Sequence, residues 1–374
     1  MKKQNVANVI LLVFLASIMA FFSLSYVFGS EKSFSEDENR ALQMYPRFTL
    51  QKLLDGTYTR QLHNYFSDQI IFRTQMIEIK AEAELLMGKN ENNGILLGKD
   101  GYLIETHQYT EDNYSFLRKN LYKIEKLISS IEENGANATS VIIPRKVDIL
   151  DDEFSPYYSN ARNKDTWSIV GENHISLCEV LASNQKSGVQ IFYKTDHHWT
   201  AEGAYYAYSE LGKVLEFTPK LLNQFELETL SAKFFGTTYS RSGFFFIDSE
   251  VIAAPKIENG KYKVTIVDTN TEFDTLYDTT YLSKKDKYSV FLSGNNAHVK
   301  IYDTTDDSKE TLLIIKDSYS HSLSPYLCEH YNIELLDPRY YSGSIEEYII
   351  ENNIKNVLFL FGIDTLASAN LIIR

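Results

Sequence analysis

The stretch Ile191–Thr200 reads Ile-Phe-Tyr-Lys-Thr-Asp-His-His-Trp-Thr, and Leu312–Ser320 reads Leu-Leu-Ile-Ile-Lys-Asp-Ser-Tyr-Ser. Each is a short apolar run that stops at polar side chains: Asp196, His197 and His198 in the first, Lys316, Asp317 and Ser318 in the second. Bounded runs of this length read as buried strands, here over Val189–Tyr193 and Leu312–Ile315. A helix is expected after each, over Thr200–Leu215 with Thr200 as N-cap, and over Tyr319–His330. The same rhythm recurs in strands Ser140–Ile143 (stopped by Pro144), Ile333–Leu336 and Val357–Phe361, and in helices His174–Ser183 and Ser344–Asn353. Continuous apolar strands alternating with helices predict an α/β fold whose mostly parallel sheet is covered on both faces. Polar residues gather at the carboxyl ends of such strands.

Outward from this frame the pattern changes twice. Phe217–Asp306 has strand-like segments at Phe244–Ile247, Tyr262–Val267, Val290–Leu292 and Val299–Tyr302, separated by turn-rich spacers, and reads as a β-rich insertion or lid. Upstream, Phe116–Ile131 is an amphipathic helix ending at Gly135, and Ile95–Leu97 with Tyr102–Ile104 forms a hairpin. Thr49–Met87 reads as helices. Residues 31–48 form a polar stalk, so 49–374 is the expected main domain.

Val9–Phe28 is uncharged and follows Lys2 and Lys3. Twenty residues at ~1.5 Å rise can cross a ~30 Å hydrocarbon core. The basic flank and the acidic run Glu31–Glu38 predict a cytoplasmic N-terminus, a single-pass membrane anchor over residues 1–30 and an extracytoplasmic body. A cleaved signal peptide is the alternative, and it also puts the body outside the cytoplasm.

The formal net charge of -13 argues against nucleic acid as a partner, because phosphate binding needs clustered Lys and Arg. Tyrosine (26) and phenylalanine (22) are abundant, and aromatic faces suit sugar rings in a cleft, although most belong to core and sheet. Cys178 and Cys328 are too few and too far apart for a disulfide framework or a zinc site, and read as core residues.

An acid, two imidazoles and a serine at strand ends are the parts of a nucleophilic site. Ser318 opens a helix, where free N–H groups and the positive dipole end favour an oxyanion. His198 is placed to take the Ser318 proton, with Asp196 fixing its tautomer; His197 is the rival base. Three plainer readings compete. Asp317 or Ser318 can serve only as an N-cap, Asp196, His197 and His198 can bind a divalent metal, and His197 and Trp199 can be structural supports. No HExxH or CxxC and no obvious third or fourth ligand accompanies the cluster, so no metal is expected.

These residues carry a resemblance. Thr195-Asp196-His197-His198-Trp199-Thr200 resembles the signature of DHHW-type proteins, which are similar to alginate O-acetyltransferases of the SGNH hydrolase-like superfamily. Ser35–Arg40, Phe235–Ser240, Gly294-Asn295-Asn296, Lys316–Tyr319 and Asp337–Tyr341 add to it, so the likeness covers most of the chain beyond the anchor. It implies an SGNH-like three-layer α/β/α fold with Asp196 and His198 as the Asp-x-His pair and Ser318 as nucleophile. Lys316 departs from the Gly that many SGNH proteins carry there. Gly294, Asn295 or Asn296 is a candidate second oxyanion donor by motif type, with Tyr319 beside the site. Arg339 is implied as a substrate contact, against the alternative of a surface ion pair.

The expected function is a membrane-anchored O-acetyltransferase acting on an exopolysaccharide or cell-wall glycan. The resemblance implies a membrane-bound O-acyltransferase partner that delivers acetyl groups, and hence no soluble cofactor. A carbohydrate esterase using the same residues, or a noncatalytic glycan-binding or scaffold protein of a polysaccharide export system, are the alternatives.

Overall fold

A computed structural model describes residues 2–35, 38, 40–150 and 166–373. The chain divides into two units, Met1–Lys89 with Gly243–Phe246, and Asn90–Ser242 with Ile247–Arg374. Residues 49–89 therefore group with the N-terminal segment, and not with the main domain as the sequence reading placed them.

The first unit begins with a helix over Lys2–Phe28, of which Val6–Tyr26 is long and apolar enough to cross a membrane and has no buried residues. Where a stalk was expected, Phe34–Ser35 and Arg40–Ala41 pair antiparallel; Glu36, Asp37 and Asn39 of the expected acidic run and motif lie outside the described residues. Three helices follow, Leu50–Leu54, Thr57–Gln69 and Arg73–Leu86. Arg40 binds Asp68 (2.6 Å) and Arg73 binds Glu38 (2.7 Å), tying the short strand pair to these helices.

The second unit is built on an eight-stranded sheet, numbered here β1 (Asn137–Ile143), β2 (Ile175–Ser176), β3 (Tyr262–Ile266), β4 (Thr271–Phe273), β5 (His298–Asp303), β6 (Thr311–Lys316), β7 (Asn332–Leu336) and β8 (Asn356–Gly362). The order is β4-β3-β5-β7-β6-β8-β1-β2. From β7 to β2 every pairing is parallel, whereas β5, β3 and β4 add to the β7 edge antiparallel. Strands buried on both faces need an apolar centre, and Val141–Ile143 of β1, Leu312–Ile315 of β6 and Val357–Phe361 of β8 supply it. Leu312, Ile314, Leu358 and Leu360 point into one core cluster, while Leu313, Ile315, Val357, Phe359 and Phe361 point into the other. Helices Cys178–Lys186, Ala201–Val214 and Tyr319–Leu327 contribute to the first layer. Helices Glu111–Glu133, Ile345–Glu351 and Ile363–Ser368 cover the other. This is the expected three-layer α/β/α arrangement.

Residues 217–306 are β-rich, as expected, but two of the four expected strands do not form there. Three of their segments become sheet strands, because Val264, Val299 and Ile301 bury their side chains in the common core. Leu227–Phe234 and Glu250–Pro255 form a two-stranded ribbon instead, Lys287–Val290 is a 3-10 turn, and Phe244–Ile247 contains no strand. Nor is Val189–Tyr193 a sheet strand. It runs into a loop closed by the Phe192–Trp199 bridge, where Tyr193 N–H donates to the His198 carbonyl (3.1 Å) and Thr200 N–H to that of Ile191 (2.8 Å).

Candidate active site

Four parallel strands end on one side of the sheet. The residues just past them, Pro144–Val147 after β1, Asp317–Tyr319 after β6, Arg339 after β7 and Ile363–Thr365 after β8, line a cavity of about 450 Å³. The carboxyl ends of parallel strands are where an open α/β sheet presents its binding crevice.

Ser318 stands at this cavity at the head of helix Tyr319–Leu327. Its hydroxyl makes no cap bond, and the capping falls to Asp317. Asp317 Oδ1 accepts Tyr319 N–H (3.1 Å), and Oδ2 accepts Gly362 N–H and Thr365 Oγ1–H (2.7 Å each). The Ser318 hydroxyl is thereby left to His198, whose Nε2 lies 2.7 Å from Oγ. On the other side of the ring, Nδ1 is 2.5 Å from Asp196 Oδ1. The sequence positions are 120 residues apart, yet the loop and the strand end bring the three side chains into one hydrogen-bonded chain.

The loop is held from several directions. Asp196 Oδ1 also accepts His198 N–H (3.0 Å), and Oδ2 accepts Thr237 N–H (2.7 Å) and Thr237 Oγ1–H (3.0 Å). A Cβ on Gly236 would lie 2.2 Å from Asp196 Cβ and Oδ2, so only glycine lets the Phe235–Thr237 segment approach this closely. Glu250 anchors the preceding residues, accepting from the N–H of Lys194 (2.8 Å) and from both N–H and hydroxyl of Thr195 (2.6 Å each). The His198 ring stacks on Tyr288 at 3.7 Å and 9°. Trp199 is fully buried and donates its indole N–H to Ser322 (2.9 Å), which also meets the Tyr288 hydroxyl (2.9 Å).

Burial pushes the Asp196 carboxyl up, but the adjacent imidazoles and their hydrogen bonds outweigh it and hold it well below the usual carboxylate range. Burial, helped by the neighbouring His197, lowers His198 to about 4. At neutral pH the pair is thus a carboxylate and a neutral imidazole. Nδ1–H then donates to Asp196 and the Nε2 lone pair faces the Ser318 hydroxyl.

The other expected site residues are placed as follows. His197 is part exposed and lines the cavity, its Nδ1 3.0 Å from Thr237 Oγ1 and 3.6 Å from Asp196 Oδ1. Of the two imidazoles it is His198 that bonds Ser318. The Asp196, His197 and His198 donor atoms lie within 4.8 Å of one another, but both His198 nitrogens are already engaged by Asp196 and Ser318. Tyr319 packs edge-on to His198 and donates its hydroxyl to the His197 carbonyl (2.8 Å). Arg339 lines the cavity, held by Asp337 through Nε (2.8 Å) and a terminal nitrogen (2.6 Å). The expectation for the asparagines does not hold. Asn296 spends its amide on the Leu292 (3.0 Å) and Gly294 (3.3 Å) carbonyls, Asn295 accepts from Arg339 (3.5 Å), and neither lines the cavity. Lys316 is fully buried and points at His321 Nε2 (2.8 Å) and Asp337 (3.3 Å). The Ser318 N–H makes no hydrogen bond among the described residues and is an available oxyanion donor.

Sequence reasoning missed Thr237, Gly236, Glu250 and Tyr288. The first two sat inside a quoted motif, Phe235–Ser240, to which no role was attached. Nothing local distinguishes Tyr288 among 26 tyrosines. Cys178 and Cys328 are free thiols.

Residues 95–240 match the family described as SGNH hydrolase-like domain, acetyltransferase AlgX. The protein of Pseudomonas syringae pv. tomato named "Probable alginate O-acetylase AlgJ" is 23% identical over 176 residues, 44% of this chain and 44% of that protein. The chain thus spans under half the length of this curated relative. Among solved structures, a DHHW family protein from Eubacterium siraeum superposes with a TM-score of 0.60 at 22% identity, over 75% of this chain and 94% of that one. Bacillus cereus PatB1, solved with a sulfonyl adduct, gives 0.59 at 17% identity, over 75% and 97%. The fold is SGNH-like, and the expected resemblance to the DHHW and alginate O-acetylase group is found.

Proposed function

We propose that this SGNH-like chain, similar to alginate O-acetylases, is an extracytoplasmic O-acetyltransferase that modifies glycan hydroxyls through an acetyl-Ser318 intermediate. The reading rests on one observation, the hydrogen-bonded chain Ser318–His198–Asp196 at the wall of a cavity. In the first half-reaction Ser318 Oγ attacks the acetyl carbonyl carbon while its proton passes to His198 Nε2. The oxyanion is stabilised by Ser318 N–H, and the leaving oxygen departs with the proton from His198. In the second, a glycan hydroxyl attacks the acetyl-serine, gives its proton to His198, and Ser318 leaves with that proton restored. Asp196 stays ionised and stabilises the imidazolium at each step. Arg339 lines the same cavity and serves as a substrate contact, and the polysaccharide is the acceptor. The helix Val6–Tyr26 anchors the chain, and a membrane-bound O-acyltransferase supplies the acetyl group.

The test is acetyl trapping. The chain is incubated with an activated acetyl ester and analysed by mass spectrometry, with label expected on Ser318, absent in Ser318→Ala and reduced by on the order of 10²–10⁴ in rate in His198→Ala. An unlabelled Ser318 in folded protein, or full transfer activity in Ser318→Ala, sinks the mechanism. Acetate release that an added glycan acceptor leaves unchanged makes the chain an esterase.

A further inference from the structure

The first unit carries an apolar surface that the proposed chemistry does not use. A groove of about 960 Å³ lies between the last turns of helix Lys2–Phe28 and the turn that precedes helix Arg73–Leu86. Phe21, Leu24 and Phe28 form one wall, Ile70, Ile71 and Phe72 contribute to the other, and the charged Lys32, Glu38, Asp68 and Arg73 also line the groove. The two are tied together where the apolar span ends. Tyr26 donates its hydroxyl to the Phe66 carbonyl (2.6 Å) and packs edge-on to the Phe66 ring, and Gln69 bridges to Lys32 through two hydrogen bonds.

This fixes a depth. Phe21 precedes Tyr26 by about 7.5 Å of helix at ~1.5 Å per residue. The Ile70–Phe72 turn therefore runs alongside the final part of the span, not beyond its end. Helix Arg73–Leu86 continues the apolar surface: Met76, Ile79, Ala83 and Leu86 recur at the spacing of one helical face, and all are exposed, Ile79 at 65% and Leu86 at 91%. Its charges are mixed, with Arg73 and Lys80 against Glu78, Glu82 and Glu84. Attraction to anionic headgroups is not what this helix offers; apolar burial is. Interfacial helices bury an apolar face about 5–10 Å into the headgroup–acyl boundary, which is the depth the groove dictates.

We propose that the chain makes a second, interfacial contact with the bilayer. The Ile70–Phe72 turn and the apolar face carrying Met76 and Ile79 are buried in the leaflet where the span ends, and phospholipid acyl chains occupy the groove. The inference rests on Val6–Tyr26 crossing the bilayer. The full chain is reconstituted in phosphatidylcholine vesicles with or without lipid brominated near the glycerol end of its acyl chains. Tryptophan is placed at one position at a time: Phe72→Trp, Ile79→Trp, Val13→Trp within the span, and Leu221→Trp on the second unit. Buried Trp199 and part-buried Trp167 give a constant background.

The emission added by Phe72→Trp and Ile79→Trp is expected to be roughly halved by the brominated lipid, with Leu221→Trp unaffected. Quenching of Val13→Trp alone overturns the interfacial contact and leaves the anchor standing. Absence of quenching at Val13 as well overturns both. Quenching at Ile79, a residue exposed enough to accept tryptophan, supports the contact even if Phe72→Trp does not fold.

Discussion

In the proposed mechanism His198 is the base, and its surroundings keep it ready for that role. An imidazole near its ordinary value is partly protonated at neutral pH, and only the neutral fraction can take a proton from serine. Burial against Tyr288 and beside His197 moves this group to about 4. Turnover is therefore expected to be flat through neutral pH and to fall tenfold per unit below about 4. A pH profile of kcat/KM on an activated acetyl ester measures this, and an acid limb centred near the ordinary imidazole value instead would mean that His198 is not the base. The residues of this chain were legible because their types are chemically narrow: Asp196, His198 and Ser318 follow from side-chain chemistry at the ends of apolar runs. Asn295 and Asn296 were misread because a motif type does not say where an amide points. In the fold their turn uses the Asn296 donor internally.

Elements explain why these residues meet. The parallel strands were legible because burial on both faces demands unbroken apolar sequence, and β6 and β8 have it. The stretch before the histidines looked the same, yet it forms a loop. Its apolar side chains Ile191, Phe192 and Tyr193 are as buried as those of a strand, and periodicity alone cannot tell such a segment from one. What fixes that loop is the close approach of Gly236 and Thr237 to Asp196. In Gly236→Ala the new methyl must displace Asp196 or the Phe235–Thr237 segment, moving the carboxylate that orients His198. A misplacement near 1 Å costs on the order of 10²-fold in kcat/KM, whereas local overpacking costs only about 1–3 kcal/mol in stability. Assays paired with thermal melts separate the two, and a fully active Gly236→Ala would show that the Asp196 contact is not needed for orientation.

Most of the shifted histidines and carboxylates of the molecule are displaced in one direction, and its stability must follow. Burial lowers His174, His198, His321 and His330, so below about 6.5 the unfolded chain binds protons that the folded chain refuses. Several carboxylates behave alike for a different reason. Burial raises each of them, but Tyr302, Tyr348, His298 and Lys300 outweigh it for Glu334, bringing it to about 2, as Arg339 and Lys316 do in lowering Asp337. Stability that such carboxylates contribute is present above their unfolded values near 4 and is lost as pH falls towards their folded ones. His107, raised by Asp364, and Asp148, raised by burial, act the other way but are fewer. The expected curve has two parts, a gradual loss of stability as pH falls from about 6.5 and a steeper one below about 4. None of this could be read from the net charge of -13, because the partners come from strands and loops that only the fold brings together. Thermal melts at fixed ionic strength between neutral and acid pH test it, each kcal/mol lost lowering Tm by roughly 2–4 °C in a unit of this size. A Tm that rises as pH drops from neutral towards 5 would mean that the buried histidines gain protons on folding, and the neutral His198 required for proton transfer would go with them.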